Sequence, residues 1–201
     1  MPKENFFENI YKDVQDLSSI PWATLKPNIY LTQYLDEQEE VQNKRALVIG
    51  CGLGDDALIL SQKGYQTDAI DISPSAISLA KERFKDSDIN FQVENIFNLS
   101  EKYLAKYDFV YEGLTIQSIP RVEREKLIKI ISSLIAPKGT LLIYAHRQED
   151  EEDLGGPPWP LYRHEFEWFI EHGFTQIYQH ESDEKKPIAP FQCCFIYQRN
   201  T

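Results

Sequence analysis

Apolar residues recur at two different spacings in this chain, and the switch between them marks out its elements. Phe6, Phe7, Ile10, Tyr11, Val14 and Leu17 fall at helical spacing, which predicts a helix over residues 3–17. Ser18-Ser19-Ile20-Pro21 breaks it, and a second helix is predicted from Lys26 to about Glu40, following Pro27. Beyond residue 44, short apolar runs alternate with helical patterns. Strands are predicted at 45–50, 66–71, 89–93, 107–111 and 140–145, and helices at 55–63, 74–84 and 121–135. Ser73 and Pro74 form a helix start, and Gly64 a helix stop. In the helix at 121–135, Val122, Leu127, Ile130, Ile131 and Leu134 are expected to face a core.

The last quarter reads differently. Gln148 to Asp153 is an acidic loop, and Gly155-Gly156-Pro157-Pro158-Trp159-Pro160 a rigid connection. A helix over 163–172 ends at Gly173, and strands at 174–180 and 191–198 are joined by the polar segment 181–190. Strands alternating with helices imply an α/β, doubly wound sheet with helices on both faces. Seven strands are expected, five parallel and then an antiparallel edge pair. Residues 1–40 form an N-terminal helical cap belonging to the same domain as the core at 41–201.

Charge and composition narrow the partners. Basic residues number 21 against 32 acidic, a net charge of −11, and they are scattered. Nucleic acids and anionic membranes bind through clustered Lys and Arg, so a small-molecule partner is expected instead. No apolar stretch is long enough to span a bilayer, and the N-terminus has no apolar signal-peptide core. The three cysteines, Cys51, Cys193 and Cys194, show no metal-ligand spacing, and neither do the four histidines. Reduced thiols, no metal and a cytoplasmic location are the expectation.

The chemistry-bearing segment is Val48-Ile49-Gly50-Cys51-Gly52-Leu53-Gly54-Asp55-Asp56, which follows the first core strand and opens a helix. Glycines there admit close approach of a ligand to the main chain, and a helix N-terminus offers free N–H groups to an anion. Asp71 ends the second strand, 17 residues after Gly54, where an acid can accept from both hydroxyls of a ribose. Loop, helix, strand and terminal acid in this order point to a nucleoside-bearing cofactor. The dinucleotide pattern G-x-G-x-x-G fails, because its last position falls on Asp55. The acidic pair also repels a pyrophosphate, whereas a sulfonium cation tolerates it. No Walker-type loop is present.

On these motifs the chain resembles the class I S-adenosylmethionine-dependent methyltransferases, which have a Rossmann-like core. Asn95-Ile96-Phe97 resembles their adenine-contacting segment, and Asp108 to Pro120 their fourth motif. Gly156-Pro157-Pro158-Trp159 and Pro21-Trp22 resemble the thiopurine, halide and thiol methyltransferase branch. The resemblance implies S-adenosylmethionine as cofactor, held by Trp22, Gly50, Cys51, Gly52, Gly54, Asp71, Ile72, Asn95, Ile96, Phe97 and Glu112. Val48 stands where the family has an acid that can hold the methionine amine.

Tyr11, His146, Arg147, Trp159 and Tyr162 are candidates for the acceptor pocket. Each also has a plain alternative: Tyr11 and Trp22 as core residues, Asn95 as the start of an Asx-turn, Trp159 and Tyr162 as covers on the core. No His or Lys stands out as a general base, which favours a thiol, halide or metalloid anion as acceptor. Two other function classes fit the same pattern: a nicotinamide-dependent oxidoreductase, and a cofactor-binding module without turnover.

Overall fold

The computed structural model describes residues 5–148, 156–182 and 191–201. Two compact units divide it, the described residues up to Leu99 and those from Ser100 to Thr201. The first unit contains α1 (Asn5–Tyr11), α2 (Ile29–Asp36), β1 (Arg45–Ile49), α3 (Asp55–Gln62), β2 (Gln66–Asp71), α4 (Pro74–Arg83) and β3 (Asn90–Val93). Its strands run parallel in the order β3-β2-β1. β1 and β2 are buried along nearly their whole length, as strands covered on both faces are. Ser73 caps α4 by accepting from the Ala76 N–H, with Pro74 in the first turn.

The second unit contains β4 (Tyr107–Gly113), α5 (Arg121–Leu134), β5 (Ile135–Gln148), β6 (Leu161–Tyr162), α6 (Arg163–Glu171), β7 (Phe174–Glu181) and β8 (Phe191–Arg199). Its strand order is β4-β5-β8-β7, with β6 paired to β5. β4 and β5 are parallel, while β8 is antiparallel to both β5 and β7. The edge pair expected from the sequence is therefore present. Cys193 and Cys194 on β8 are both buried and unpaired.

Several expectations are corrected. The first helix ends at Tyr11 rather than residue 17, because Asp16 instead accepts from the Ser18 N–H and starts a separate turn at Leu17–Ser19. Side-chain bonding of this kind competes with helical hydrogen bonds. The second helix begins at Ile29, since Asn28 caps it by accepting from the Tyr30 N–H. It stops at Asp36, where a run of acids would face the negative end of the helix dipole. Val122 is 91% exposed, not turned to the core. The fifth strand is longer than 140–145, and β6 emerges from what reads as coil, Leu161 pairing with Arg147 and Tyr162 with Gln148. Most of the acidic loop and of the 181–190 connection lies outside the described residues.

One buried ion pair organises the second unit. Arg124 of α5 is fully buried, and its Nη1 donates to both carboxylate oxygens of Glu165 on α6, at 3.0 and 2.9 Å. Its Nε donates to the Ile119 carbonyl, and its Nη2 to the Trp159 carbonyl. Glu165 Oε2 also accepts from the Tyr162 N–H at 2.7 Å. An Arg has five donors and no acceptor, so this one side chain fastens α5, α6 and the Gly-Pro-Pro-Trp segment together.

Two stability tests follow. Val122→Ala should change unfolding free energy by no more than about 0.5 kcal/mol, while Ile131→Ala, at a fully buried site, should cost about 2–5 kcal/mol. Arg124→Met should cost up to about 3–5 kcal/mol by breaking the buried pair, leaving Glu165 with the Tyr162 N–H and the longer ion pair to Arg121 at 3.4 Å. The double variant Arg124→Met, Glu165→Gln should recover much of that loss. Urea denaturation of the four proteins reads out both comparisons.

Candidate active site

The carboxyl ends of β1 and β2 carry the glycine loop and Asp71. Gly50, Gly52 and Gly54 have φ of 62°, 50° and 88°, a region that side-chain-bearing residues avoid. Asp71 closes the loop. Its Oδ2 accepts from the Gly52 N–H and its Oδ1 from the Ser73 N–H, both at 2.9 Å. Burial pushes the carboxyl above its ordinary value, and the N–H groups of Ser73, Gly52 and Ile72 pull it back. An ionised carboxylate has about four acceptor sites, so lone pairs remain for a ribose.

The start of α3 has Gly54 as N-cap and no side-chain cap. Its first N–H groups are thus suited to an anion such as an amino-acid carboxylate. The two acids that follow are engaged elsewhere. Asp55 forms a two-point ion pair with Arg83, at 2.7 and 2.8 Å, and Arg83 also donates to the Leu53 carbonyl. Asp56 accepts from the Asn28 N–H at 2.7 Å. Gly54 cannot carry a side chain, because a Cβ would lie 2.9 Å from the Phe91 ring.

The N-terminal segment packs on this loop. Tyr11, Ile20, Leu53 and Ala76 form one buried cluster, with Trp22 against it. Trp22 Nε1 donates to the Tyr11 hydroxyl at 2.7 Å, and that hydroxyl lies 2.9 Å from where a Gly52 Cβ would be. Burial, and then Asp71, push the Tyr11 phenol well above its ordinary value. It remains a protonated core residue covering the loop. Cys51 is buried and its thiol pushed well up by the same causes, so it is no nucleophile.

Glu8, which the sequence reading passed over, fastens α1 to the start of α4. It accepts from the Ser73 hydroxyl, the Ser75 hydroxyl and the Ser75 N–H, at 2.7, 2.6 and 3.1 Å. Those bonds hold its carboxyl below the usual range.

Asn95 takes the Asx-turn arrangement. Its Oδ1 accepts from the Phe97 N–H at 2.9 Å and starts the turn Ile96–Asn98. Its Nδ2 and the second lone pair of Oδ1 can both serve a ligand. Ile72 and Phe97 are half-buried, and Ile96 is buried.

In the second unit, Glu112 ends β4 in full burial. Its Oε1 accepts from the N–H groups of Thr115 and Ile116, while Oε2 has no hydrogen-bond partner among the described residues. Burial pushes its carboxyl to about 7, against the pull of those N–H groups and Arg124. A buried acid with an open oxygen suits a cation or a donor group.

At the end of β5, His146 is half-buried and bonded to Gln117. Arg147 is buried and anchored to Glu181 at 2.7 Å, so its charge is answered within the protein. Tyr162 lies under the Arg121 guanidinium, 3.9 Å from ring centre to carbon. The Trp159 N–H donates to the Gln117 carbonyl at 2.7 Å, and its indole lies over Gly156, where a Cβ would collide with it.

Sequence reasoning missed Glu8, Gln117, Arg124 and Glu165. Only Arg124 had left a signal. It stands at helical spacing from the apolar Leu127, Ile128 and Ile131, a charge on a core face. Among the described residues, no cluster of His, Cys, Asp and Glu could hold a metal, and no helix is long and apolar enough to cross a membrane.

Comparisons with known proteins bear on this geometry. The chain is 28% identical over 127 residues to the ubiquinone biosynthesis O-methyltransferase of Coxiella burnetii, covering 60% of this chain and 53% of that one. It thus spans about half the length of that relative. It is 23% identical over 149 residues, 67% of each chain, to the thiopurine S-methyltransferase of Nitrosospira multiformis. In structure it is similar to the N-methyltransferase NodS of Bradyrhizobium japonicum, solved with S-adenosyl-L-homocysteine. The TM-score is 0.76 at 18% identity, over 98% of this chain and 100% of that one. Magnesium protoporphyrin IX methyltransferase of Synechocystis, solved with S-adenosylmethionine, gives 0.65 at 15% identity, over 85% and 75%. These likenesses show the expected fold class, a mostly parallel Rossmann-like sheet with helices on both sides. The family model for thiopurine S-methyltransferase matches residues 4–192, and the chain belongs to that family.

Proposed function

We propose that this chain transfers a methyl group from S-adenosylmethionine to a small-molecule acceptor that is already a strong nucleophile, such as a thiolate, halide or metalloid anion. The observation that carries the reading is the glycine loop closed by a buried Asp71 beside an uncapped helix start, in a chain of this family. When bound, S-adenosylmethionine supplies an electrophilic methyl carbon on a sulfonium that leaves as a neutral thioether. The acceptor–carbon bond forms as the carbon–sulfur bond breaks, and the electron pair stays on sulfur.

Every remaining task is binding and orientation. The N–H groups at the start of α3, with Gly50, Cys51 and Gly52 beside them, would hold the carboxylate of the amino-acid end. Asp71 would accept from the ribose hydroxyls. Ile72, Ile96 and Phe97 would pack on the adenine, and Asn95 Nδ2 would donate to a ring nitrogen. Its Oδ1 keeps a second lone pair beside the Phe97 bond, so the acceptor role that the resemblance implies for Asn95 stays open too. Trp22 would help close the N-terminal segment over the cofactor. Glu112 Oε2, the open oxygen of a buried acid, would take a cationic or hydrogen-bond-donating group. Trp159 and Tyr162 would wall the acceptor. Good placement of two reactants can supply about 7–11 kcal/mol of a barrier, and an acceptor that is already anionic needs no base. The buried thiols Cys51, Cys193 and Cys194 support a reducing, cytoplasmic setting.

Isothermal titration with S-adenosylhomocysteine tests the cofactor reading. Asp71→Asn places an NH2 against at least one of the three N–H donors of Gly52, Ile72 and Ser73, and should weaken binding by about tenfold or more. Folded protein that shows no heat of binding would remove the proposal, and full affinity in the variant would remove Asp71 from it.

Glu112 gives a pH prediction with a definite sign. Its carboxyl titrates near 4.5 when unfolded and about 7 when folded. Between those values the folded state binds more protons, so stability falls as pH rises from about 4.5 to about 7. The loss is on the order of 3 kcal/mol. Glu112→Gln, which keeps the shape of the protonated acid, should flatten that decline in thermal melts from pH 4.5 to 8.

A further inference from the structure

Asp71 is answered by two separate stretches of main chain, and α1 touches both of them. The Gly52 N–H belongs to the loop after β1, and the Ser73 N–H to the turn after β2. Glu8 and Tyr11 stand three residues apart on α1, a spacing that puts both on one face of a helix. Tyr11 lies over the first stretch, its hydroxyl 2.9 Å from where a Gly52 Cβ would be. Trp22 Nε1 steadies that hydroxyl by donating to it at 2.7 Å. Glu8 grips the second stretch. It accepts from the Ser73 hydroxyl at 2.7 Å, and from the Ser75 hydroxyl and N–H at 2.6 and 3.1 Å. The Ser73 hydroxyl is fixed from the other side too, since it accepts from the Ala76 N–H at 3.0 Å. The β1–β2 ladder runs from the Arg45–Gln66 pair to the Ile49–Ile70 pair, short of both N–H groups on Asp71. Glu8 and Tyr11 supply a cross-link beyond its end.

We infer that Glu8 is a positioning residue for Asp71: through α1 it braces the glycine loop against the turn after β2, and so holds the Asp71 carboxylate in the orientation that meets a ribose. The inference rests on the methyl-transfer reading above, and it adds to that site a residue that touches no ligand. A carboxylate held by N–H groups from two stretches is only as well aimed as those stretches are fixed to each other. Hydrogen bonds weaken steeply when misaligned. Loss of the brace should therefore cost recognition of the ribose hydroxyls in particular, and not binding of the adenine or of the amino-acid end.

Isothermal titration of the full chain with S-adenosylhomocysteine tests this, with competition by adenosine and by dideoxyadenosine, which lacks the two ribose ring hydroxyls. Glu8→Ala should weaken S-adenosylhomocysteine binding about tenfold and shrink the preference for adenosine over dideoxyadenosine by a similar factor. A merely structural residue would weaken both nucleosides alike, and an unchanged preference overturns the inference. Glu8→Gln keeps an acceptor oxygen and should recover most of the loss. In a double-mutant cycle, Glu8→Ala should add little to Asp71→Asn, and fully additive losses also overturn the inference. Should Glu8→Ala fail to fold, Ser75→Ala removes one of the bonds to Glu8 and should change the preference in the same direction by less. Absence of S-adenosylhomocysteine binding by the unmodified protein would instead sink the methyl-transfer reading. Asp71 is then read without a ligand. In carboxyl 13C spectra of 13C-aspartate-labelled protein, the signal lost in Asp71→Asn should move in Glu8→Ala and return toward its place in Glu8→Gln. A signal that stays in place removes the brace.

Discussion

A buried carboxylate must be answered by donors, and at Asp71 the answering donors are main-chain N–H groups of the glycine loop and of the turn after β2. Gly52 and Ser73 each turn an N–H onto it. That demand sets the loop's path, and the path requires the positive φ angles that glycine supplies. Other contacts build on the same arrangement. Tyr11 fits over Gly52 because no side chain is there, Trp22 bonds to Tyr11, and Glu8 reaches the Ser73 hydroxyl one residue from the Ile72 N–H that Asp71 also holds. The N-terminal segment, the loop and the start of α4 are one polar and apolar assembly centred on one acid.

The second unit solves a comparable problem with a cation. Arg124 would be costly in an apolar interior if any of its donors lacked a partner. Glu165 and two carbonyls meet them. Because one carbonyl belongs to Trp159, the Gly-Pro-Pro-Trp segment inherits its position from a residue two elements away. Gln117 holds the N–H of the same tryptophan, so the segment is gripped from both sides of its backbone. Glu112 differs from both ion centres. One of its oxygens is bonded twice and the other stays open, an arrangement that costs stability.

The elements were legible where burial on both faces leaves unbroken apolar runs, as in β1 and β2, and where a cap is explicit, as at Ser73. They were misread where a local polar bond outcompeted periodicity. Asp16 and Asn28 each redirected a helix boundary through a single side-chain bond. Val122 shows the limit of periodicity within a helix. It lies near the expected stripe, yet the stripe that packs is centred on Arg124, Leu127, Ile128 and Ile131. An arginine at the middle of that face was the clue, legible only on the assumption that a charge can be buried.

The order of strand, glycine loop, helix, strand and acid was settled by the amino-acid sequence alone, because each part is a short-range consequence of residue type. The same residues carried the expectations of a nucleoside-bearing cofactor and of a small-molecule partner. The tertiary structure decided what each polar atom faces: that Asn95 uses its oxygen on its own backbone, that Arg147 is answered by Glu181, that Glu112 keeps one oxygen open, and that the Gln117 amide faces His146. Those pairings join residues up to 34 positions apart. Hydrogen bonding is directional, so its outcome depends on where the fold brings two side chains and not on the spacing that separates them in the chain.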